Sequence, residues 1–252
     1  MIPDPRIRQA ADLTRHAEYA VALTGAGIST PSGIPDFRSP DTGLWVRFDP
    51  MEVASIWAFR QNPEKFYEMM RPLAKTMLEA EPNPAHYALA ELEEMGLLHA
   101  IITQNVDDLH QRAGSKRVLE VHGNMRQATC LGCHRTVPGQ TLIEQLIEEG
   151  KVPRCAQCGG VLKPNVIFFG ELLPVDVLME AEQEARKCDL MLVAGSYLEV
   201  IPAADLPRQA LRHGAKLIIV NYQPTGLDHR AEVVIHEDLA QILPCITELC
   251  RT

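Results

Sequence analysis

Short apolar runs that stop at glycine or polar residues recur along the chain, at 19–24, 98–103, 189–195 and 216–221. They lack the alternation of a half-solvated strand, so they read as parallel strands buried on both faces. Between them lie amphipathic stretches of helical length, 84–95, 174–187 and 202–213, each opened by a proline suited to a first helical turn. Strand and helix in alternation predict an α/β fold, a doubly wound parallel sheet with its binding crevice at the carboxyl ends of the strands. Two stretches break this rhythm. Residues 124–163 hold two cysteine pairs around one helical segment, 140–149, and read as an inserted module within a single domain spanning 1–252. Residues 25–50 are long for a strand-to-helix connection and rich in Gly, Pro, Ser and Asp, which suggests a functional loop.

Composition narrows the picture. A chain of 252 residues that is 46% hydrophobic can bury a sizeable core, which excludes disorder. A formal charge of −9 would repel a phosphate backbone, so nucleic acid is not expected as a direct partner. Such a surface is either simply solvated or attracts basic, lysine-bearing polypeptides, and charge alone does not choose between them. The first residues lack the basic-then-apolar run of a secretion signal, and no apolar stretch approaches the roughly eighteen residues that span a bilayer. A soluble, cytoplasmic protein without membrane contact is expected. Four of the seven cysteines form two Cys-x-x-Cys pairs, which suits a reducing compartment and a metal better than disulfides.

Four segments carry candidate chemistry. Gly25-Ala26-Gly27-Ile28-Ser29 follows a predicted strand, and its small residues let backbone amides approach a phosphate closely. A hydride-transfer fingerprint would place a third glycine at Thr30 and an acidic residue about twenty positions on, so an ordinary dehydrogenase site fits poorly. Cys130-Leu131-Gly132-Cys133 and Cys155-Ala156-Gln157-Cys158, with residues 134–154 between them, have the spacing of two knuckles that enclose a tetrahedral zinc. Four thiolates leave no position for an activated water, so that zinc should be structural. Gln104-Asn105-Val106-Asp107 puts amide and carboxylate groups at the carboxyl edge of the sheet, as ligand contacts or as a helix cap. His122 ends a short apolar run, 118–121, just before Gly123; alone it fits a packed histidine as well as a base.

Taken together these segments resemble one family. Gly25-Ala26-Gly27-Ile28-Ser29, Gly33-Ile34-Pro35-Asp36-Phe37-Arg38, Thr103-Gln104-Asn105-Val106-Asp107, His122-Gly123, both cysteine pairs, the run from Pro164 to Glu171 and Gly195-Ser196 are similar to the motifs of the sirtuins, in that family's order and over nearly the whole chain. The resemblance implies a Rossmann-like large domain with an inserted small zinc-binding module, and NAD as a consumed co-substrate. It implies an NAD-dependent protein lysine deacetylase that moves the acyl group of acyl-lysine to ADP-ribose and releases nicotinamide.

Roles follow residue by residue. The resemblance puts Gly25, Ala26, Gly27, Ser29 and Arg38 at the phosphates and ribose, and Ile34 and Asp36 at the carboxamide. Phe37 would cover the reacting ribose, and Gln104, Asn105, Val106 and Asp107 would shape the nicotinamide and ribose pocket. Gly195 and Ser196 would meet phosphate or ribose, with Asn221 and Leu239 near the adenosine end. His122 would be the general base, with Asn105 and Asp107 in the catalytic group. The zinc ligands would be Cys130, Cys133, Cys155 and Cys158, and Ile167, Phe169, Gly170, Glu171 and Val200 would meet the acyl-lysine peptide. ADP-ribosyl transfer to protein shares this chemistry and differs in the nucleophile; a dehydrogenase or a zinc-module adaptor explains fewer of the motifs. Sirtuins that prefer succinyl or malonyl groups carry a Tyr-x-x-Arg pair where this chain has Tyr67 and Met70, with Arg71 one position on. Neutral acyl groups are therefore expected, somewhat longer aliphatic chains included.

Overall fold

The computed structural model describes residues 4–41, 43–148 and 150–251. Residues 1–3 of the N-terminal stretch, residue 149 at the end of the predicted helical segment 140–149, and residue 252 lie outside the described residues. Among the described residues nine strands form, β1 (Ala20–Thr24), β2 (Ala100–Thr103), β3 (Val118–Glu120), β4 (Gly123–Cys130), β5 (Thr136–Pro138), β6 (Leu162–Val166), β7 (Leu190–Ala194), β8 (Lys216–Val220) and β9 (Val233–Ile235). The α-helices are α1 (Pro5–His16), α2 (Pro50–Val53), α3 (Ile56–Gln61), α4 (Pro63–Glu79), α5 (Pro84–Glu94), α6 (Leu109–Arg112), α7 (Gly139–Glu148), α8 (Val175–Lys187), α9 (Leu206–Arg212) and α10 (Leu239–Cys250).

The large sheet is parallel, in the order β3-β2-β1-β7-β8-β9, and the expected doubly wound architecture is present. Its strands are buried on both faces, and successive side chains divide between two cores as the period of two requires. Ala20, Ala22, Ile101, Leu192 and Ile218 pack with α1, α5 and α10; Val21, Leu23, Ile102, Val193 and Ile219 pack with α8 and α9. Strand order reverses between β1 and β7, so their carboxyl ends open the crevice where such folds bind ligands. Of the three prolines expected to open helices, Pro84 does so; Pro174 instead caps α8, and Pro202 precedes a 3₁₀ turn (Ala203–Asp205) that leads into α9.

The cysteine-bearing segment forms a second, antiparallel sheet, β5-β4-β6. It does not stand alone. Its apolar residues Ala128, Leu142, Leu146 and Leu162 share a core with Val53, Ile56, Phe59, Phe66, Tyr67 and Met70 from α2, α3 and α4. Phe59 sits at the centre, with the rings of Phe66, Tyr67 and Phe168 5.2–5.7 Å away in edge-to-face contact. Truncating such a fully buried aromatic costs about 3–5 kcal/mol. The small lobe is thus built from two stretches of chain, and both connect to the large sheet at the crevice.

Candidate active site

A cavity of about 320 Å³ lies where the carboxyl ends of β1, β2 and β7 face the small lobe. On the sheet side, Gly25, Ala26, Gly27 and Ser29 line it from the turn after β1, and Gly195 and Ser196 from the turn after β7. The two turns touch: Gly27 N–H donates to the Gly195 carbonyl at 2.9 Å. A side chain at Gly195 would meet the backbone of Ile28 at 2.3 Å, and its φ of +68° is in the left-handed region. Only glycine fits there. Most amides of these turns are already spent on local bonds; among the described residues Ala26, Ser196 and Tyr197 keep amides without a backbone acceptor. Those are the donors that can meet a phosphate.

The loop that continues to Pro50 folds on itself. Asp36 accepts from the amides of Arg38 and Ser39, both at 2.7 Å, and from the Ser39 hydroxyl, while Phe37 stacks on Trp45 at 5.1 Å. Ile34, Asp36, Phe37 and Arg38 all line the cavity, yet the Asp36 carboxylate is engaged by its own loop.

Below them runs a buried polar network. Asn105 Nδ2 donates to the Gly25 carbonyl and to Ser29 Oγ, each at 3.1 Å, and Ser29 Oγ donates to Asp107 Oδ2 at 2.6 Å. Gln104 Nε2 donates to Ser196 Oγ at 2.9 Å, so Gln104, Asn105, Val106 and Asp107 join both glycine turns on one cavity wall. Burial raises the pKa of Asp107 above the ordinary carboxylate value, and the hydrogen bond from the Ser29 hydroxyl opposes the rise. Behind Ser29 stand two histidines that the motifs did not single out. Asn83 N–H donates to His86 Nδ1, which leaves His86 Nε2 to donate to Ser29 Oγ at 3.5 Å. His110 Nε2 lies 2.9 Å from Thr24 Oγ1, and the two rings meet edge to face at 4.9 Å. Burial lowers His86 to about 4 and His110 to about 3, so both are neutral. An Asn-Pro cap with histidine at the third helical position was the available signal.

His122 follows β3 and lines the cavity, within reach of the Arg38 charge. Its Nδ1–H donates to the Gln104 carbonyl at 3.1 Å, which fixes the tautomer and leaves Nε2 as the basic nitrogen. Burial lowers its basicity below the ordinary value, and the Arg38 charge adds to the effect. Gly123 holds the turn open: any side chain there would strike the Asn165 carbonyl at 2.0 Å.

The small lobe supplies an apolar wall. Phe66, Met69, Met70, Leu73 and Met77, on one face of α4, line the cavity with Met125 and Phe168. Arg71 is not brought to it; its guanidinium lies over Gly150. The Tyr67 hydroxyl is also turned away, donating to the Leu162 carbonyl. Ile167, Phe169, Gly170, Glu171 and Val200 line the mouth. The amides of Ile167, Phe168 and Phe169 are occupied by His122 O, the Glu171 carboxylate and Ala54 O, so among the described residues the Ile167 carbonyl and Gly170 amide are what this edge offers a peptide. Glu171 is held inward by buried Lys163, 2.9 Å away. Asn221 and Leu239 are not brought to the cavity: Asn221 is buried and caps the Gln223 carbonyl, and Leu239 points into the core beneath α10.

The four predicted thiols converge, with all Sγ atoms within 4.8 Å of one another. Cys130 and Cys158 are 3.4 Å apart, Cys133 and Cys155 3.8 Å. Sulfurs about 2.3 Å from a tetrahedral zinc lie about 3.8 Å apart, so the donor set fits that ion. Amides of Gly132 and Gly160 point at two of the sulfurs, as thiolates favour.

Fold and site together define a dinucleotide-binding α/β protein with a four-thiolate lobe closing one crevice. The Sir2 family profile matches residues 25–202, and the chain belongs to that family. It is 51% identical over 246 residues to the NAD-dependent protein deacylase 2 of Archaeoglobus fulgidus, covering 97% of this chain and 96% of that one. With the NAD-dependent protein deacetylase of Sulfurisphaera tokodaii it shares 47% identity, over 96% and 94% of the two chains. Among solved structures, a Sir2–p53 peptide–NAD⁺ complex superposes with TM-score 0.88 at 43% identity, covering 96% and 97%. Sir2Af2 bound to a myristoylated histone peptide gives 0.84 at 44%, covering 98% and 96%.

Proposed function

We propose that this chain is an NAD-dependent protein lysine deacylase that yields free lysine, nicotinamide and O-acyl-ADP-ribose. The observation that carries the reading is His122, its Nδ1 held by the Gln104 carbonyl and its Nε2 left basic between a turn with free amides and an apolar wall. NAD, when bound, supplies a ribose carbon that becomes electrophilic as nicotinamide leaves, and the acyl oxygen of the substrate is the weak nucleophile.

The chain's residues make that encounter productive. Ala26, Ser196 and Tyr197 amides and the Arg38 guanidinium hold the diphosphate. Asn105 and Asp107 fix Ser29 and the ribose side of the pocket. Phe37, stacked on Trp45, keeps water from the reacting carbon. His122 accepts a ribose hydroxyl proton at Nε2, which lets that oxygen bond to the acyl carbon; the carbon–nitrogen bond to lysine then breaks, the amine leaves with a proton, and one water is consumed in the overall reaction. A bound zinc holds the small lobe in register and takes no part in the chemistry.

The acyl chain belongs against Phe66, Met69, Met70, Leu73 and Met77. Among the described residues no cation lies on that wall, so a carboxylated acyl group would be desolvated without a partner. Methionine adapts its shape, and the myristoylated peptide on Sir2Af2 supports long neutral chains as well as acetyl. We assign the protein to the cytoplasm because its clustered thiols suit a reducing compartment. The test is nicotinamide release that depends on an acetyl-lysine peptide. Absorbance from reduced cofactor, or nicotinamide release indifferent to the peptide, would overturn the assignment.

A further inference from the structure

Arg38 and Glu199 meet across the mouth of the cavity. Arg38 stands on the loop after β1, Glu199 in the segment after β7, and Arg38 Nε donates to Glu199 Oε2 at 2.9 Å. A second tie joins the same two segments, with Ser39 Oγ 3.4 Å from the Tyr197 hydroxyl. The partners are unequally placed: the Arg38 side chain is 28% exposed and that of Glu199 61%. Among the described residues, Arg38 is the ion-pair partner of Glu199.

This arrangement conflicts with the role given to Arg38 above, and the conflict is informative. A diphosphate offers two charges and several acceptor oxygens to a guanidinium fork, where Glu199 offers one half-solvated carboxylate. The diphosphate therefore wins Arg38. Glu199 is then left, next to Val200 in a cavity that Gly170 also lines, as a carboxylate whose described ion-pair partner has been taken. A substrate can restore the pair only with a positively charged side chain of its own.

We propose that Glu199 is a specificity-determining residue that selects a basic side chain next to the acyl-lysine, and that occupation of Arg38 by the diphosphate makes it available. The inference rests on the deacylase reading. A partly exposed pair changes affinity about two- to fivefold, and replacing attraction by repulsion roughly tenfold.

The experiment uses acetyl-lysine peptides of one sequence with Arg, Gln or Glu on both sides of the modified lysine, at saturating NAD. Specificity constants should fall from Arg to Gln to Glu by roughly tenfold overall, and the spread should shrink at high salt. In Glu199→Gln the ratio should collapse toward one, and in Glu199→Arg it should invert. A ratio near one in the wild type, or an unchanged ratio in Glu199→Gln, overturns the proposal. Calorimetry tests the release step: ADP-ribose should tighten the Arg-flanked peptide about threefold more than the Gln-flanked one, and equal tightening contradicts it. Turnover of none of the peptides would sink the deacylase reading instead, while the calorimetric comparison still decides the role of Glu199.

Discussion

The two walls of the cavity are made of different material. The sheet-side wall is a network of hydrogen bonds, Asn105 to Gly25 and Ser29, Ser29 to Asp107, His86 to Ser29, Gln104 to Ser196, that fixes the side chains and leaves the amides of Ala26, Ser196 and Tyr197 open to a ligand. The small-lobe wall is a row of methionine, leucine and phenylalanine side chains on α4 with no polar group among them. A hydrogen-bonded wall tolerates one ligand geometry, because any mismatch strands a buried donor or acceptor. An apolar wall with flexible thioethers tolerates many. The contrast matches a reaction with one invariant reactant, NAD, and one variable reactant, the acyl chain.

Removing the metal should separate the walls most sharply. Chelation, or Cys130→Ser with Cys155→Ser, should strip about one zinc per chain and unfold the small lobe, since structural zinc contributes on the order of 10 kcal/mol. Deacylation should vanish while ADP-ribose still binds the sheet-side wall, as calorimetry would record. Full activity in a protein free of zinc by elemental analysis would contradict this.

Next in size is His122→Ala, expected to lower kcat by about 10²- to 10⁴-fold and to leave ADP-ribose affinity within about threefold. Because burial lowers the basicity of His122, the neutral, competent form persists downward in pH. The acidic limb of kcat/KM should therefore fall below pH 6.5. A limb above 6.5, or near-normal turnover in the variant, would remove His122 from the chemistry.

The apolar wall should discriminate by charge. Acetyl-lysine peptide should be processed roughly a hundredfold better than succinyl-lysine peptide of the same sequence, from the cost of burying an unpaired carboxylate. Arg71→Met should leave that ratio unchanged, because Arg71 packs over Gly150. Comparable specificity constants, or a ratio sensitive to Arg71, would show a cation reaching the tunnel.

The smallest effect concerns the polar wall's histidines. His86 and His110, lowered to about 4 and about 3, stay neutral in the fold but take protons at pH 6.5 once unfolded. Their contribution is complete above 6.5 and is lost as pH falls from there toward the folded values. Unfolding free energy from urea titration should drop on the order of 2 kcal/mol between pH 6.5 and 5.5. A flat profile would mean that the pair is solvated.

Legibility followed the reach of local constraint. The glycine turns, both cysteine pairs, Gln104 to Asp107 and His122 could be read because backbone approach, thiolate ligation and strand-end position each restrict residue type over a few positions. The pairing of α4 with the zinc lobe could not, since Phe66, Met70 and Ala128 meet only in the folded core. His110 was hidden for a related reason, since a histidine within a helix gives no sign of its partner, whereas the cap motif Asn83-Pro84-Ala85-His86 shows the bond of His86 to Asn83 but not its reach to Ser29. Asp36 and Glu171 were legible as cavity residues, but not their capture by Ser39 and Lys163. Leu239 was placed by resemblance, and its side chain belongs to the core.

The most direct measurement is to incubate the protein with NAD and an acetyl-lysine peptide and weigh all products. The account predicts equimolar nicotinamide, deacetylated peptide and O-acetyl-ADP-ribose. Polypeptide carrying ADP-ribose with its acetyl group intact, or NAD left unconsumed, would contradict it.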